Sequence, residues 1–406
     1  MSSDASSASS TWAPLRSAAF RSLFIAALAS NIGTWMQTVG AQWFLVERHA
    51  SATTVALVQT ASLSPTLILA LFAGALADRV DRRRFLIVLQ VYAAVAAAVL
   101  TAIAVAGALN PLSLLSLLFA IGCAAAMTTP TWQAIQPELV PREQFPAAAS
   151  LSGVTADAAR AIGPPIAGVL VAVAGPQAVF AINAASFAIV VAALLAWKRP
   201  PSTTTVGQEP LRQSVITGLR YARDNSALRR ILLRAALFAF PVSALWALLP
   251  IAANQHWHLR AIGYGAVLGT MGAGAVLGAL VMSRLRRTYS ANALLVIAAL
   301  TDAAGLLAAA YLPLAVGVVL LLLAGVAWIA TLTTLTVAAQ LALPSWIQAR
   351  GLAIYLVVLI GSQALGAFIW GLVASQFGLT TSLTAAAVLL IVAAASHRVL
   401  PLLPVS

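Results

Sequence analysis

Residues 314–341 read LAVGVVLLLLAGVAWIATLTTLTVAAQL, a run of 28 residues without a charged side chain. A helix needs about 20 mostly apolar residues to cross the hydrocarbon core of a bilayer. The run is too long and too free of charge for a helix buried in a soluble protein. It therefore predicts a membrane-spanning helix.

The composition of the whole chain points the same way. Of 406 residues, 61% are apolar and 8% are charged, and the mean hydropathy is +0.96. Ordinary globular domains are about 45–50% apolar and about 25% charged. A soluble fold this poor in charge has too few polar groups for its surface, whereas a disordered chain is rich in charge. We expect an all-α membrane protein.

Eleven further apolar runs bring the predicted number of transmembrane helices to twelve. The complete set is Ser22–Val46, Thr54–Ala77, Phe85–Ala106, Pro111–Gln136, Pro146–Val173, Gln177–Trp197, Ile231–Asn254, Gly263–Ser283, Asn292–Leu312, Leu314–Leu341, Gly351–Phe377 and Thr380–His397. The longest polar interruption, 198–230, separates an N-terminal half at 16–197 from a C-terminal half at 231–406. Residues 1–15 lack the basic start of a signal peptide, so we expect a disordered cytoplasmic tail.

The basic residues orient the predicted helices. Of the 23 Lys and Arg residues, 20 fall in loops or helix ends on one side, while Arg48 and Arg260 fall on the other and Arg160 lies inside the fifth run. By the positive-inside rule, both termini are cytoplasmic. The net charge of +13 is thereby explained by topology, and no nucleic-acid partner is expected.

The interruption at 198–230 begins with prolines and threonines typical of a linker. Further on, Val215, Leu219 and Ala222 recur at helical spacing among arginines. This pattern favours an amphipathic helix on the inner membrane surface. The alternative is a flexible linker with chance spacing.

The two halves resemble each other at an offset of about 204 residues. Gly74-Ala75-Leu76 recurs as Gly278-Ala279-Leu280, each followed by arginines, and Gln136 has a counterpart in Gln340. A duplicated six-helix unit predicts two pseudo-symmetric halves with a binding site near the midplane between them.

Three ionisable side chains lie within the apolar runs, where such groups are functional candidates. Asp157 and Arg160 are three residues apart on one helix face and are able to pair. This pair is either a structural lock or part of substrate or proton binding. Asp302 has no partner in its own helix. Either another helix satisfies it, or it binds and releases a proton during a transport cycle.

Polar and aromatic residues form stripes on otherwise apolar helices. Candidate cavity residues are Asn31, Trp35, Thr38 and Gln42 in the first run, Trp132, Gln133 and Gln136 in the fourth, Trp246 in the seventh and Trp328 in the tenth. Aromatic walls with a few amide and hydroxyl groups suit bulky amphipathic molecules. The alternative is helix packing, with the amides forming interhelical hydrogen bonds.

Other functional classes fit the sequence poorly. Cys123 is the single cysteine and the four histidines are scattered, so we expect no metal site. A membrane-embedded enzyme needs converging nucleophile, base or metal groups, and a channel needs rings of like charge. The 406 residues contain no G-x-x-x-x-G-K-[ST] nucleotide-binding motif.

Residues 74–84, GALADRVDRRR, resemble the major facilitator superfamily signature G-x-x-x-D-R-x-G-x-R-R, with Asp81 in place of its second glycine. The signature lies after the second of twelve helices, as it does in that family. The resemblance implies that Gly74, Asp78, Arg79, Arg83 and Arg84 form a gating loop that latches the two halves in the outward-facing state.

Three stretches resemble the secretion-effector branch of this superfamily, which includes enterobactin exporters and macrolide efflux proteins. They are SNIGTWMQTV at 30–39, PTWQAIQPELVP at 130–141 and RAIGPPIAG at 160–168. In the last stretch, Gly163, Pro164, Pro165 and Gly168 resemble the Gly-Pro element associated with exporters. Proline removes a backbone hydrogen bond and bends a helix, so a kinked interface helix also follows from the residues.

The resemblance implies a bacterial inner-membrane exporter that works by alternating access on drugs or siderophores. We expect no cofactor, a proton gradient as the energy source, and Asp302 or Asp157 as the coupling carboxylate. The expected partners are a small-molecule substrate and membrane lipids, and the expected state is a monomer. A siderophore-specific exporter is the nearest alternative, and a membrane-embedded enzyme is a more distant one.

Overall fold

The computed structural model describes residues 12–77, 80–198, 211–344, 346–396 and 400–401. Within this part of the chain there are thirteen α-helices and no β-strand. They are α1 (Ala18–Glu47), α2 (Ala52–Ala77), α3 (Arg82–Val105), α4 (Pro111–Leu139), α5 (Phe145–Ala174), α6 (Pro176–Ala196), α7 (Leu211–Asp224), α8 (Ser226–Gln255), α9 (Ala261–Thr288), α10 (Ala291–Tyr311), α11 (Leu314–Ala342), α12 (Gln348–Phe377) and α13 (Leu379–Ala395). The predicted all-α membrane fold is confirmed.

Ten of the helices in the described ranges are long and apolar enough to cross a membrane. Helix α13 is apolar but has 17 residues. Helix α1 has 30 residues but contains several polar side chains, among them Asn31, Gln37 and Gln42. Each of the twelve predicted runs overlaps one of the helices α1–α6 or α8–α13. Helix α7 lies in the linker between these two sets, here called the first and the second half.

The helix ends are set by local chemistry. Asp81, which replaces the glycine of the loop signature, caps α3, because its Oδ1 accepts a 2.8 Å hydrogen bond from the backbone N–H of Arg84. Gly175 and Gly378 have φ angles of 76° and 91° in the tight turns before α6 and α13. These left-handed conformations favour glycine, and the equivalent positions of the two turns reflect the internal repeat.

The two halves meet mainly along two helix pairs, α5 with α9 and α2 with α12. Glycines permit the close approach of the first pair. A Cβ atom on Gly265 would lie 2.9 Å from Gly168 Cα, and one on Gly269 would lie 2.9 Å from Pro165 Cδ. Gly163 faces α1 instead, where its Cβ would lie 2.8 Å from Trp35 Cβ. The Gly-Pro element of α5 therefore packs against both halves.

Candidate functional site

A cavity of about 330 Å³ lies between the two halves. Helices α1, α2, α4 and α5 line it from the first half, and α8, α11 and α12 line it from the second. Its polar surface includes Gln37, Gln59 and Ser62 on one side and Ser243 and Gln363 on the other. Pockets for drug-sized ligands have volumes of about 300–1,000 Å³ and combine apolar walls with a few polar groups.

Three tryptophans join the halves through the wall of this cavity. The ring centres of Trp35 and Trp246 are 5.8 Å apart, and those of Trp246 and Trp328 are 5.7 Å apart. Phe238 stacks on Trp328 with a centre separation of 6.0 Å. Trp35 belongs to the first half and the other rings belong to the second, so this aromatic array spans the interface.

Arg160 of α5 lies beside the array. Its Cζ atom is 5.5 Å from the ring centre of Trp35 and 6.0 Å from that of Trp246, within the range of cation–π attraction. Its Nη1 donates a 3.1 Å hydrogen bond to Oδ1 of Asp157, whereas its buried Nε has no hydrogen-bond partner. The guanidinium therefore contacts both halves and retains a free donor.

One side of the cavity is sealed by contacts between the halves. Gln42 donates from Nε2 to the backbone oxygen of Trp246 at 3.2 Å and accepts at Oε1 from the hydroxyl of Tyr264 at 2.6 Å. Between α2 and α12, the backbone N–H of Thr53 donates to Ser375 Oγ at 2.8 Å. Residues 39–46 of α1 and 241–253 of α8 are buried throughout. This seal lies at the end of the bundle where α1 ends and α2 begins.

The cavity opens toward the opposite end. Ala125 of α4 lines it, and Thr129 and Gln133 follow one and two turns further along the same helix face. All three residues are exposed. In α5, Gly153 also lies toward this end, and a Cβ atom there would meet no atom within 4 Å. The structure is thus sealed on one side of the midplane and open on the other.

The sequence profile of a family described as transmembrane secretion effector matches residues 9–405. The chain belongs to this family. Its members are major facilitator superfamily transporters, so the chain is a membrane transporter, and the predicted resemblance is confirmed.

Relatives of this transporter include macrolide efflux proteins and a staphyloferrin A transporter. It is 25% identical over 256 residues to a staphyloferrin A transporter of Staphylococcus aureus, with 63% of this chain and 64% of the relative covered. Identity to the macrolide efflux protein A of Streptococcus pyogenes is 25% over 261 residues, with 64% of each chain covered. The aligned part thus spans slightly less than two thirds of each of these relatives.

Solved structures show the same fold. A bacterial homologue of the human lysosomal transporter Spinster, in an inward-facing and unoccupied conformation, aligns with a TM-score of 0.75. The identity is 17%, and 95% of this chain and 97% of that chain are covered. The nucleoside transporter NupG aligns with a TM-score of 0.75 at 13% identity, covering 94% and 99% of the two chains.

The structure places some of the predicted cavity residues of the transporter together. Trp35, Thr38, Trp246, Trp328 and Arg160 line the cavity, and Asp157 is bonded to Arg160. The sequence interpretation missed the cavity amides of Gln37, Gln59 and Gln363. Gln59 and Gln363 are amides in the interior of apolar helices, next to Thr60 and Ser362, and these polar clusters were the signal available for finding them.

Other predicted cavity residues lie elsewhere. Gln42 is in the seal, and Gln133 is exposed beyond the cavity. Asn31 Nδ2 donates to Thr155 Oγ1 at 3.4 Å, and Gln136 Nε2 donates to Ser152 Oγ at 2.9 Å. Trp132 and Gln136 line a separate cavity of about 20 Å³ between α1, α4 and α5. Asn31 and Gln136 therefore form interhelical hydrogen bonds, as expected if these amides serve helix packing.

The predicted gating loop is described in part. Asp78 and Arg79 lie outside the described residues, and Gly74 is described only as a residue of α2. Arg83 donates from Nε to the backbone oxygen of Leu194 at 2.7 Å, and Arg84 follows Asp81 in the first turn of α3. Leu194 lies at the end of α6, where a cation complements exposed carbonyl groups. Arg83 thus joins two helices of the first half.

Asp302 lies outside the cavity. It is in the middle of α10 and 1% exposed, and its buried Oδ2 has no hydrogen-bond partner. The two intramembrane carboxylates therefore have different surroundings. Asp157 is bonded to a guanidinium at the cavity, whereas Asp302 is enclosed within the second half.

Proposed function

We propose that this transporter is a proton-coupled exporter of bulky amphipathic small molecules in the bacterial inner membrane, with both termini in the cytoplasm. The observation that carries the proposal is the cavity at the interface of the halves, sealed on one side and open on the other. Alternating access requires such a site, which rocking of the two halves exposes to each side in turn. Given the proposed orientation, the open side is cytoplasmic, where an exporter binds its substrate.

The cavity wall supports an amphipathic substrate. Three indoles provide broad apolar faces, while Gln59 and Gln363 provide hydrogen-bonding groups from opposite halves. Such a combination binds a ring-bearing molecule with scattered polar groups. The free Nε of Arg160 adds a donor suited to a carbonyl or carboxylate oxygen. The names of the relatives, a macrolide efflux protein and a staphyloferrin A transporter, agree with a drug or siderophore substrate.

The two intramembrane carboxylates support coupling to protons. A carboxylate in a membrane interior is functional by default, because its burial is costly. Asp302 is buried with an unpartnered oxygen, so proton binding offers a means of removing its charge. Asp157 is the second candidate, since a substrate that binds the Arg160 guanidinium competes with the Asp157 carboxylate for it.

The proposal is tested with the purified full chain in proteoliposomes loaded with the lipophilic dye Hoechst 33342. An imposed pH gradient should drive dye transport in the wild type, and Asp302→Asn should abolish the dependence on the gradient. Glu143→Gln, at an exposed position between α4 and α5, is the matched control and should behave as wild type. Wild-type transport that ignores the gradient would refute proton coupling, and undiminished coupling in Asp302→Asn would exclude that carboxylate.

A siderophore-specific exporter is the second candidate, favoured by the cationic Arg160 in the cavity and by the staphyloferrin A relative. A deletion strain distinguishes the two. Loss of secreted siderophore without a change in drug sensitivity supports the specific exporter, whereas increased sensitivity to several lipophilic drugs supports the broad one.

A further inference from the structure

Four buried polar atoms without a hydrogen-bond partner lie on two neighbouring helices of the second half. They are Asp302 Oδ2 on α10 and Trp328 Nε1, Thr331 Oγ1 and Thr334 Oγ1 on α11. Buried polar groups in proteins are nearly always hydrogen-bonded, so such a group requires a physical explanation. Their concentration on one helix pair indicates a polar site inside the half.

The register of the two antiparallel helices is fixed on both sides of this site. Leu295 and Leu335 belong to one apolar cluster, Ala299 and Thr331 line one small cavity, and a Cβ on Gly305 would lie 3.3 Å from Ala324 Cβ. Because the two helices are antiparallel, a step forward along α10 corresponds to a step backward along α11. Asp302 therefore lies on the face directed at α11, at the level of Trp328.

Trp328 belongs to two sites at once. Its ring lines the substrate cavity and contacts Trp246 and Phe238. Its Nε1 is buried and unpartnered at the level of an equally buried carboxylate oxygen. No other residue in the described ranges both lines the cavity and lies on the α11 face opposite Asp302.

A small cavity lies between the level of Asp302 and the start of α10. It has a volume of about 20 Å³, enough for one water molecule, and is lined by Arg234, Ala299 and Thr331 among others. Ala299 precedes Asp302 by about one helical turn. The cavity thus provides room for a water molecule about one helical turn from Asp302, on the side where α10 begins.

Few charges face Asp302 from the surrounding helices. Helices α11 and α13 contain no ionisable residue. On α8, Arg234 donates from Nη1 to Asn292 Oδ1 at 2.6 Å, and Arg229 and Arg230 lie in its first turn. On α9, Tyr264 is bonded to Gln42, and the arginines at 284, 286 and 287 lie near the other end. Arg234 is therefore the cation that shares the small cavity with this part of α10.

We propose that Asp302 and Trp328 link proton binding to substrate binding: the protonation state of Asp302 sets the position of the Trp328 ring in the wall of the substrate cavity. This inference rests on the proposed function. When Asp302 is ionised, its carboxylate accepts a hydrogen bond from the indole N–H, which draws the ring out of the aromatic array. When Asp302 binds a proton, this charge-assisted bond is lost and the ring returns to Trp246 and Phe238, the arrangement seen here. Trp328 is thus a positioning residue for the substrate wall.

A proton fits this site better than a metal cation. A sodium ion is held by oxygen ligands, which the Thr331 and Thr334 hydroxyls are able to supply, whereas the indole at the level of the carboxylate is an N–H donor. The indole N–H of Trp328 carries a partial positive charge, so it is repelled by a bound cation and attracted by an ionised carboxylate. Sodium dependence is therefore an outcome that would overturn the inference.

The first test follows the tryptophan emission of the purified full chain from mildly acidic to mildly alkaline pH, without any substrate. We expect a pH-dependent emission change that disappears in both Trp328→Phe and Asp302→Asn. The matched control is Trp370→Phe, because Nε1 of Trp370 already donates to the backbone oxygen of Phe240 at 2.9 Å. The control should retain the change. A response that survives in Asp302→Asn, or that follows sodium at constant pH, would overturn the proposal.

The second test measures coupling. Trp328→Phe keeps an aromatic ring but loses the N–H, so the ratio of gradient-driven efflux to the efflux of the same variant without a gradient should fall about tenfold, the effect of losing one hydrogen bond to a charged group. If wild-type efflux is not driven by protons, the proposed function fails. If it is driven by protons but Trp328→Phe remains fully coupled, only this inference fails. Should the tryptophan variant not fold, the emission response of the nearly isosteric Asp302→Asn decides the matter, and a pH response retained in that variant refutes the link.

Discussion

The hydroxyl of Tyr264 donates a 2.6 Å hydrogen bond to Oε1 of Gln42, and this bond joins the two halves on the sealed side of the cavity. Both side chains are fully buried. The Nε2 of Gln42 is occupied by the backbone oxygen of Trp246. Opening this side must break both bonds of Gln42 as well as the bond between Thr53 and Ser375. Gln42 contributes two of these bonds, and both of its partners lie in the other half.

Removing the donor should weaken the seal. Tyr264→Phe leaves Oε1 of Gln42 buried without its partner, which costs about 1–3 kcal/mol in the sealed state. We expect a larger outward-open population, measured by labelling of Val55→Cys with a membrane-impermeant thiol reagent in a Cys123→Ala background. Tyr311→Phe is the control, since the Tyr311 hydroxyl bonds Thr384 Oγ1 at 2.8 Å within the second half. Equal labelling in both variants would contradict the role of Gln42.

The Arg160–Asp157 pair should contribute separately to stability and to binding. Arg160→Met leaves the Asp157 carboxylate without its ionic partner, so we expect a lower unfolding temperature. We also expect weaker binding of fluorescein, a ring-bearing dye whose carboxylate suits the guanidinium. The double variant Asp157→Asn/Arg160→Gln removes both charges, so it should regain stability without regaining binding. Calorimetry and dye titration measure the two effects. Full recovery of binding in the double variant would show that the pair has only a structural role.

Two of the predicted cavity tryptophans, Trp246 and Trp132, should behave differently. Trp246→Leu removes the central ring of the array and should weaken Hoechst 33342 binding up to about tenfold, because one aromatic contact with the dye contributes about 0.5–1.5 kcal/mol. Trp132→Leu alters the separate small cavity and should leave binding within about twofold of wild type. Equilibrium dye titration checks both values. Similar losses in the two variants would mean that Trp132 contacts the substrate.

Close packing of α5 on α9 should be sensitive to a single methyl group. In Gly265→Ala the added Cβ meets the backbone of Pro164 and Gly168, so we expect a destabilisation of about 1–3 kcal/mol. In Gly153→Ala the Cβ meets no atom within 4 Å, so this control should be neutral or stabilising by up to about 1 kcal/mol. Thermal unfolding in detergent compares the two. A neutral Gly265→Ala would imply that the helices separate readily.

The orientation of the bundle is testable in intact cells. His49→Cys, after α1, should react with an impermeant thiol reagent from outside, in a Cys123→Ala background. Arg142→Cys, between α4 and α5, should react only after the membrane is permeabilised. The reverse pattern would place both termini outside, and the open side of the cavity would then face the outside of the cell.

Parts of the candidate site were predictable because each signal was local. The spacing of Asp157 and Arg160 along one helix predicts the pair, and the stripe in α1 includes Trp35 and Thr38, which line the cavity. The same stripe includes Gln42, one turn further on, which lies in the seal. Helical periodicity assigns residues to a face, but the cavity ends where another helix meets that face, and Tyr264 lies 222 residues away.

The sequence by itself determined the class of protein, the helices and the repeat, because the length and charge of an apolar run decide whether it crosses a bilayer. Tertiary structure alone decided which polar residues of one helix seal the bundle and which line a cavity. It also placed Asp302 opposite Trp328, two residues 26 positions apart, through the register of α10 and α11. Such relations depend on the packing of side chains between helices, which the pattern within one helix does not encode.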